Sequence, residues 1–344
     1  MTGRRNDEVV PTHFDFSYSG PSPTCLAAPN CKVLYFEVPK VASSALKLLL
    51  SEANGTYNPQ ARFKTLTANT SIEQTAHNVD VTGLIPIFDL PDDVREEALT
   101  SPEWWRVGPT RDPYNRFYSG WENRILLMPP ARRLERIARL DVEDVLKDGC
   151  IDATATFWKF ARDVAAHPNK FRLDGHFNTQ KFTLRPDIID FTHRFRVDVA
   201  GEIGAFATQL SERVGRPLEL QRLNESIGLR ASDFLTAEVG RIVEDVFADD
   251  FDAFGFEKRS FPESLPEVVL SPIETNLVLQ YRALCERLST VSRSGLATHR
   301  WAQREHADAT HLRKELEKRA GGKYALTELA KVPIARLRWL LGRR

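Results

Sequence analysis

Val33-Leu34-Tyr35-Phe36, then Val38-Pro39-Lys40-Val41-Ala42-Ser43-Ser44, then Ala45-Leu46-Lys47-Leu48-Leu49-Leu50 is the stretch that decides the fold. The first run is a short apolar strand, the last an apolar helix, and the loop between them is basic and carries hydroxyls. A helix that starts directly after such a loop points its first backbone N–H groups outward without intrahelical partners, and its dipole favours an anion there. Lys40, Ser43 and Ser44 add further hydrogen-bond donors, so the loop predicts a cradle for a phosphate or sulfate ester. Both glycines and the Lys-Ser/Thr step of the G-x-x-x-x-G-K-[ST] pattern are missing, which disfavours a nucleoside triphosphate. The plain alternative is that Ser43 or Ser44 is simply an N-cap.

A second segment changes the balance. Trp104-Trp105-Arg106-Val107-Gly108-Pro109-Thr110 reads as a strand ending at Arg111, and Asp112-Pro113 follows as an N-cap with proline at the first helical position. Tyr114, Phe117, Tyr118, Trp121 and Ile125 then recur at helical spacing, leaving Arg116, Ser119 and Asn123 along a different face. Arg111 offers forked, charge-assisted contacts to a phosphate, and Ser119 a hydroxyl two turns later.

With these two motifs the chain resembles the sulfotransferases that use 3′-phosphoadenosine 5′-phosphosulfate, specifically the carbohydrate sulfotransferase family of the chondroitin and HNK-1 type enzymes and their bacterial relatives. The likeness rests on Val38–Ser44 and on Arg111-Asp112-Pro113-Tyr114-Asn115-Arg116-Phe117-Tyr118-Ser119. Asp174-Gly175-His176-Phe177-Asn178-Thr179-Gln180 and Asp249-Asp250-Phe251-Asp252-Ala253-Phe254-Gly255-Phe256 look similar to two further family segments. The resemblance implies that Pro39, Lys40, Val41, Ala42, Ser43 and Ser44 grip the 5′-phosphosulfate, and that Arg111 and Ser119 hold the 3′-phosphate. The family's loop often continues Cys-Thr-Asn-Trp-Lys where this one has Ser-Ser-Ala-Leu-Lys, so the side chains that reach the sulfate differ. Sulfonate transfer of this kind needs in-line positioning, charge stabilisation and a base, without a metal.

Segments alternating between strand and helix from Lys32 to about Phe256 predict an α/β fold, a parallel sheet flanked by helices with a P-loop-like nucleotide-binding core. The ligand then belongs beyond the carboxyl ends of the strands, where Lys40 and Arg111 both fall. The expected division is a polar N-terminal tail over 1–30, a catalytic domain over 31–260 and a helical C-terminal extension over 261–344. Residues 133–148 and 153–166 read as helical, Arg194–Val197 as a strand, and 54–103 as loops and short elements suited to acceptor recognition. The 47 basic and 47 acidic residues balance, so nothing at whole-chain level calls for nucleic acid.

Residues 1–30 lack the apolar core of a signal peptide and no stretch approaches a membrane span, so a cytoplasmic enzyme is expected. Val332–Arg344 is basic and amphipathic, open to contact with an anionic membrane surface, although docking on its own protein is the commoner use of such a helix. The charged helices before it, over 274–293 and 299–320, suit either a solvated surface or a homodimer contact. Cys25, Cys31, Cys150 and Cys285 show neither metal-ligand spacing nor a disulfide framework and are expected as free thiols.

Histidine is the natural base near neutral pH. His77 is favoured, because enzymes of the resembled family commonly place a histidine or glutamate facing the acceptor between the two nucleotide motifs. His176 stands as an acceptor-side or substitute candidate on its Asp-x-His-aromatic setting. Glu37 is a third, expected in a strand where it could face solvent. Two other functions compete with the leading one: a non-catalytic glycan- or nucleotide-binding protein of the same fold, and a small-molecule or glycan kinase.

Overall fold

The structure, a computed structural model, describes residues 25–63, 76–127, 142, 145–221, 228–287 and isolated positions between 290 and 314. Contacts divide the chain into two compact units, Met1–Arg62 with Asn69–Glu286, and Phe63–Ala68 with Arg287–Arg344. The first holds every element discussed below; in the second, the described positions from 290 to 314 are helical.

In chain order the strands are β1 (Cys25–Ala28), β2 (Val33–Phe36), β3 (Ile85–Pro86), β4 (Trp105–Thr110), β5 (Leu146–Lys147), β6 (Cys150–Ile151) and β7 (His193–Arg196). Five of them form one sheet in the order β3-β1-β2-β4-β7. The expected all-parallel sheet is corrected to a mixed one: β2, β4 and β7 run parallel, whereas β1 is antiparallel to both β2 and β3. The reason is chain length. Only Pro29–Lys32 separate β1 from β2, enough for a tight turn and far too few for a parallel crossover. The sheet therefore starts at Cys25, inside the segment expected as a tail. At the other end, residues 272–286 are helical and fall in the first unit, with Thr275 and Val278 buried, so the unit runs past the expected boundary at 260.

Helices cover both faces of the sheet. Val33 and Tyr35 face Leu46, Leu49, Leu50 and Ala53 of the helix Ser43–Ala53 and Phe206, Ala207 and Leu210 of the helix Glu202–Val214. Leu34 and Phe36 point the opposite way, onto Ile87, Leu90, Ala98 and Leu184. A strand buried on both faces has no polar side to alternate with, which is why β2 reads as an unbroken apolar run.

A third cluster holds the helix Pro113–Trp121 against the helix Ala153–Ala166 and its neighbours. Asp112 caps the first helix by accepting from the Asn115 N–H, with Pro113 at the first helical position as its sequence requires. Tyr114, Phe117, Tyr118 and Trp121 are all buried there, with Phe117 stacked on Phe160 at 4.9 Å between centroids. Each aromatic pair of this kind contributes about 0.5–1.5 kcal/mol beyond its buried area. The helix Ala153–Ala166 forms where expected. Residues 145–148 do not extend one before it: β5 and β6 make a hairpin instead, with Asp148 and Gly149 both at positive φ (52° and 78°), the turn that an Asp-Gly pair favours. Most of 133–144, and the terminal segment from Val332 to Arg344, lie outside the described residues.

This scaffold places the carboxyl ends of three parallel strands along one edge. The loop after β2, Arg111 after β4 and Asp198 after β7 all emerge there, and the Asp112 N–H donates to Asp198 Oδ1 at 3.1 Å.

Candidate active site

The loop after β2 is wound tightly and held from outside. Lys40 and Ala42 both adopt left-handed backbone (φ 67° and 48°), which costs an L-residue roughly 1–2 kcal/mol each. Val41 between them is fully buried, and its N–H donates to the Val38 carbonyl. Two arginines hold the other side: Arg116 Nε donates to the Pro39 carbonyl (3.1 Å) and Arg111 Nη1 to the Lys40 carbonyl (3.0 Å). Backbone of this kind gathers N–H groups into an anion-binding concavity.

The helix begins at Ser43, and its N-cap is Ala42, which has no side chain able to cap it. Ser43 and Ser44 therefore do not serve as the N-cap, and the first-turn N–H groups stay available to a ligand. Among the described residues no carboxylate lies within ion-pair distance of Lys40. Partial burial and the nearby Arg111 cation lower its amine to about 8, with Glu122 acting in the opposite direction. Uncapped N–H groups, hydroxyls and an amine without a carboxylate partner among the described residues fit a phosphate or sulfate ester.

Arg111 and Arg116, five residues apart, have different tasks. Arg116 is buried, and besides Pro39 it donates to the Asn178 carbonyl at 2.8 Å, so it ties the loop to the 174–180 segment. Arg111 is gripped through its backbone: its N–H donates to Gln180 Oε1 (2.9 Å) and its carbonyl accepts from Gln180 Nε2 (2.8 Å). Asp250, fully buried, accepts from the Lys181 N–H at 2.8 Å and anchors that segment in turn. The Arg111 side chain spends one donor on the loop and keeps the remainder of its fork. Ser119 lies on the same helix, largely buried, beside Gly120. A Cβ at Gly120 would stand 2.9 Å from the Phe177 ring, so glycine there lets the turn Gly175–Phe177, and His176 with it, approach the helix.

Both candidate histidines feel Lys40: burial is the main influence lowering each, and the charge of Lys40 adds slightly to it in both. Their settings differ. His176 Nδ1 lies 2.6 Å from Asp174 Oδ1, and Asp174 is fixed by Arg124 through Nε (3.0 Å) and Nη2 (2.6 Å). Burial alone would raise the Asp174 carboxyl, but the His176 bond and the Arg124 charge hold it well below the carboxylate range. A carboxylate accepts only, so Nδ1 carries the proton and Nε2 keeps its lone pair.

His77 Nδ1 lies 2.6 Å from Lys47 Nζ, which also donates to Glu37 Oε1 at 2.8 Å. Although 53 % of the His77 side chain is open, its Nδ1 edge is turned into protein. Desolvation there and the Lys47 charge push His77 down to about 4, against the opposing pull of Glu37. Glu37 does not face solvent as expected; it is buried and paired with Lys47.

The remaining described histidines have no place here: His193 stacks on Trp105 at 4.0 Å, His167 ends the helix Ala153–Ala166, and His311 is exposed. All four cysteines are free. Among the described residues no group of three His, Cys, Asp or Glu could hold a metal ion, and no helix is long and apolar enough to cross a membrane.

The profile of the Sulfotransferase family matches residues 23–257, which takes in the sheet, the loop, Arg111, both histidines and Asp250. The chain belongs to the sulfotransferase family. Comparison with curated proteins and with solved structures returns no match. In this sulfotransferase the sequence pointed to the loop, Arg111 and the two histidines, but Lys47 and Arg124 escaped notice and Asp250 was given no role. Lys47 sits within an apolar helical run, where a single lysine reads as an exposed interruption. Asp174 carried a signal in its spacing from His176, and Asp250 in its place beside Phe251.

Proposed function

We propose that this sulfotransferase moves a sulfonate from 3′-phosphoadenosine 5′-phosphosulfate to a hydroxyl of a carbohydrate or glycoconjugate. The observation that carries the proposal is the uncapped helix start after β2, with Lys40 unpaired beside it and Arg111 next to it on the same sheet edge. When bound, that co-substrate supplies an activated sulfonate whose leaving group is the adenosine bisphosphate. Lys40 and the first-turn N–H groups meet the charge that builds on the leaving oxygen, while Arg111 and Ser119 hold the 3′-phosphate. No metal is needed in this scheme, because fixed cations and N–H groups meet the charge.

The acceptor hydroxyl loses its proton as the new S–O bond forms. His176 is the base that takes it, because its Nε2 lone pair is free and Asp174 on Nδ1 stabilises the imidazolium that results. This departs from the sequence-based preference for His77. The carbohydrate acceptor rests on the family resemblance of the motifs and on the segments over 76–103 that lie near the site in sequence.

A calorimetric titration tests the nucleotide side. Adenosine 3′,5′-bisphosphate is expected to bind without Mg²⁺ and more tightly than ATP. Tighter binding of ATP, dependent on Mg²⁺, would replace this proposal with a kinase.

A further inference from the structure

The buried Lys47–Glu37 pair lies under His77, where no phosphosulfate contact requires it. Lys47 is on the inner side of the helix Ser43–Ala53, with 3 % of its side chain exposed, and Glu37 ends the run that leads from β2 into the loop, with 10 % exposed. Burying such a pair is costly unless every donor finds an acceptor. Lys47 Nζ has Glu37 Oε1 at 2.8 Å and His77 Nδ1 at 2.6 Å, while His77 Nδ1 and Glu37 Oε1 are 3.8 Å apart. An ammonium group donates and never accepts, so the partner it finds on the imidazole must be a lone pair.

We propose that Lys47, held by Glu37, is a positioning residue that keeps the His77 proton on Nε2, making His77 a hydrogen-bond donor to the transferring sulfonate and not the base. The proposal rests on the sulfonate-transfer function above. The two histidines then form a complementary couple. Asp174 accepts from His176 Nδ1 and leaves a bare Nε2 to take a proton; Lys47 donates to His77 Nδ1 and leaves an Nε2–H to give a hydrogen bond. The charged and titratable groups that act on His77 are Lys47, Glu37, His176 and Lys40. Burial first, then Lys47, and less strongly His176 and Lys40, disfavour a second proton on the ring, and Glu37 opposes them. A neutral donor is thus kept where an imidazolium would be repelled by Lys40.

The tautomer is measurable in the intact protein without any substrate. With ¹⁵N-labelled histidine, and the His77 signals assigned by their loss in His77→Gln, long-range ¹H–¹⁵N correlation at neutral pH is expected to show the proton on Nε2 and a bare Nδ1. Lys47→Met strands a buried carboxylate, so the double variant Glu37→Gln/Lys47→Met, which leaves no buried charge, is the robust comparison. In it Nδ1 loses its ammonium donor, and its ¹⁵N resonance moves toward that of a lone pair without a hydrogen bond. Turnover falls on the order of 10²-fold, the scale of a misplaced catalytic group, with bisphosphate affinity unchanged. A wild-type His77 protonated on Nδ1, or a double variant with an unaltered Nδ1 resonance, would overturn the assignment. Bisphosphate binding measured on the same samples separates the two ideas: a protein with the expected tautomer that fails to bind it contradicts sulfonate transfer and leaves the Lys47–His77 geometry standing.

Discussion

The loop after β2 and the histidine pocket beside it solve opposite problems. In the loop, hydrogen-bond donors are left over: the helix start has no cap, Lys40 has no carboxylate partner among the described residues, and arginines hold the loop by its Pro39 and Lys40 carbonyls. In the pocket almost nothing is left over, since each imidazole has one nitrogen committed, to Asp174 or to Lys47. Unsatisfied donors make a place for an anion, whereas committed nitrogens fix where protons sit before any substrate arrives. In the proposed function the first arrangement binds and the second orders a reaction.

The sharpest way to break this contrast is at the base. His176→Ala is expected to lower turnover by about 10²–10⁴, the usual span for losing acid–base catalysis, with bisphosphate affinity retained. If His77→Ala gave that loss and His176→Ala were nearly silent, the two roles would be exchanged. Next in size is Lys40→Ala, expected to cost about 10²–10³ in turnover, as removal of one charge-stabilising group does, and to weaken bisphosphate binding much less. Equal losses in rate and affinity would make Lys40 a binding residue only.

Arg111→Ala and Arg116→Ala test whether the two arginines divide as their bonds indicate. Removing Arg111 deletes a charge-assisted contact, about 1.5–3 kcal/mol, or roughly 10- to 150-fold in bisphosphate affinity in a protein that still folds. Arg116→Ala instead leaves the Pro39 and Asn178 carbonyls without their buried partner and is expected to appear as a lowered melting temperature. An Arg111 variant with unchanged affinity would remove that residue from the anion site.

The smallest effect is one of pH. An amine lowered to about 8 is charged below that value and neutral above it, so kcat/KM should fall as pH rises through about 8, roughly twofold at pH 8 itself. In Lys40→Arg the guanidinium stays charged and the basic limb should move out of range. A limb that stays near 8 in that variant belongs to another group.

What the sequence revealed follows from what is local. The loop was legible because its strand, its hydroxyls and its helix are adjacent in the chain, and Asp112-Pro113 because a cap and a first-turn proline are defined by their immediate neighbours. The parallel order of β2, β4 and β7 followed from alternating elements, but the antiparallel β1 turned on four linking residues whose meaning lies in their number. The helical reading of 133–148 passed over the Asp148-Gly149 pair, which adopts the positive φ of a hairpin turn. The roles of Lys47, Arg124 and Asp250 were not legible, because each takes its role from a partner 10 to 69 residues away: Lys47 from Glu37, Arg124 from Asp174 and Asp250 from Lys181. The choice between the histidines was of that kind too, since it depends on which nitrogen each partner occupies.

The central claim is met most directly by following the sulfur. With ³⁵S-labelled 3′-phosphoadenosine 5′-phosphosulfate and a panel of glycans, the wild-type protein is expected to place label on a carbohydrate oxygen, one adenosine bisphosphate released for each sulfate transferred, and His176→Ala is expected to transfer it far more slowly. Label that stays on the nucleotide with every glycan, while a hydroxyl of another chemical class accepts it, would contradict the carbohydrate assignment. Release of label as free sulfate alone, at equal rates in the wild type and in His176→Ala, would contradict the transfer mechanism itself.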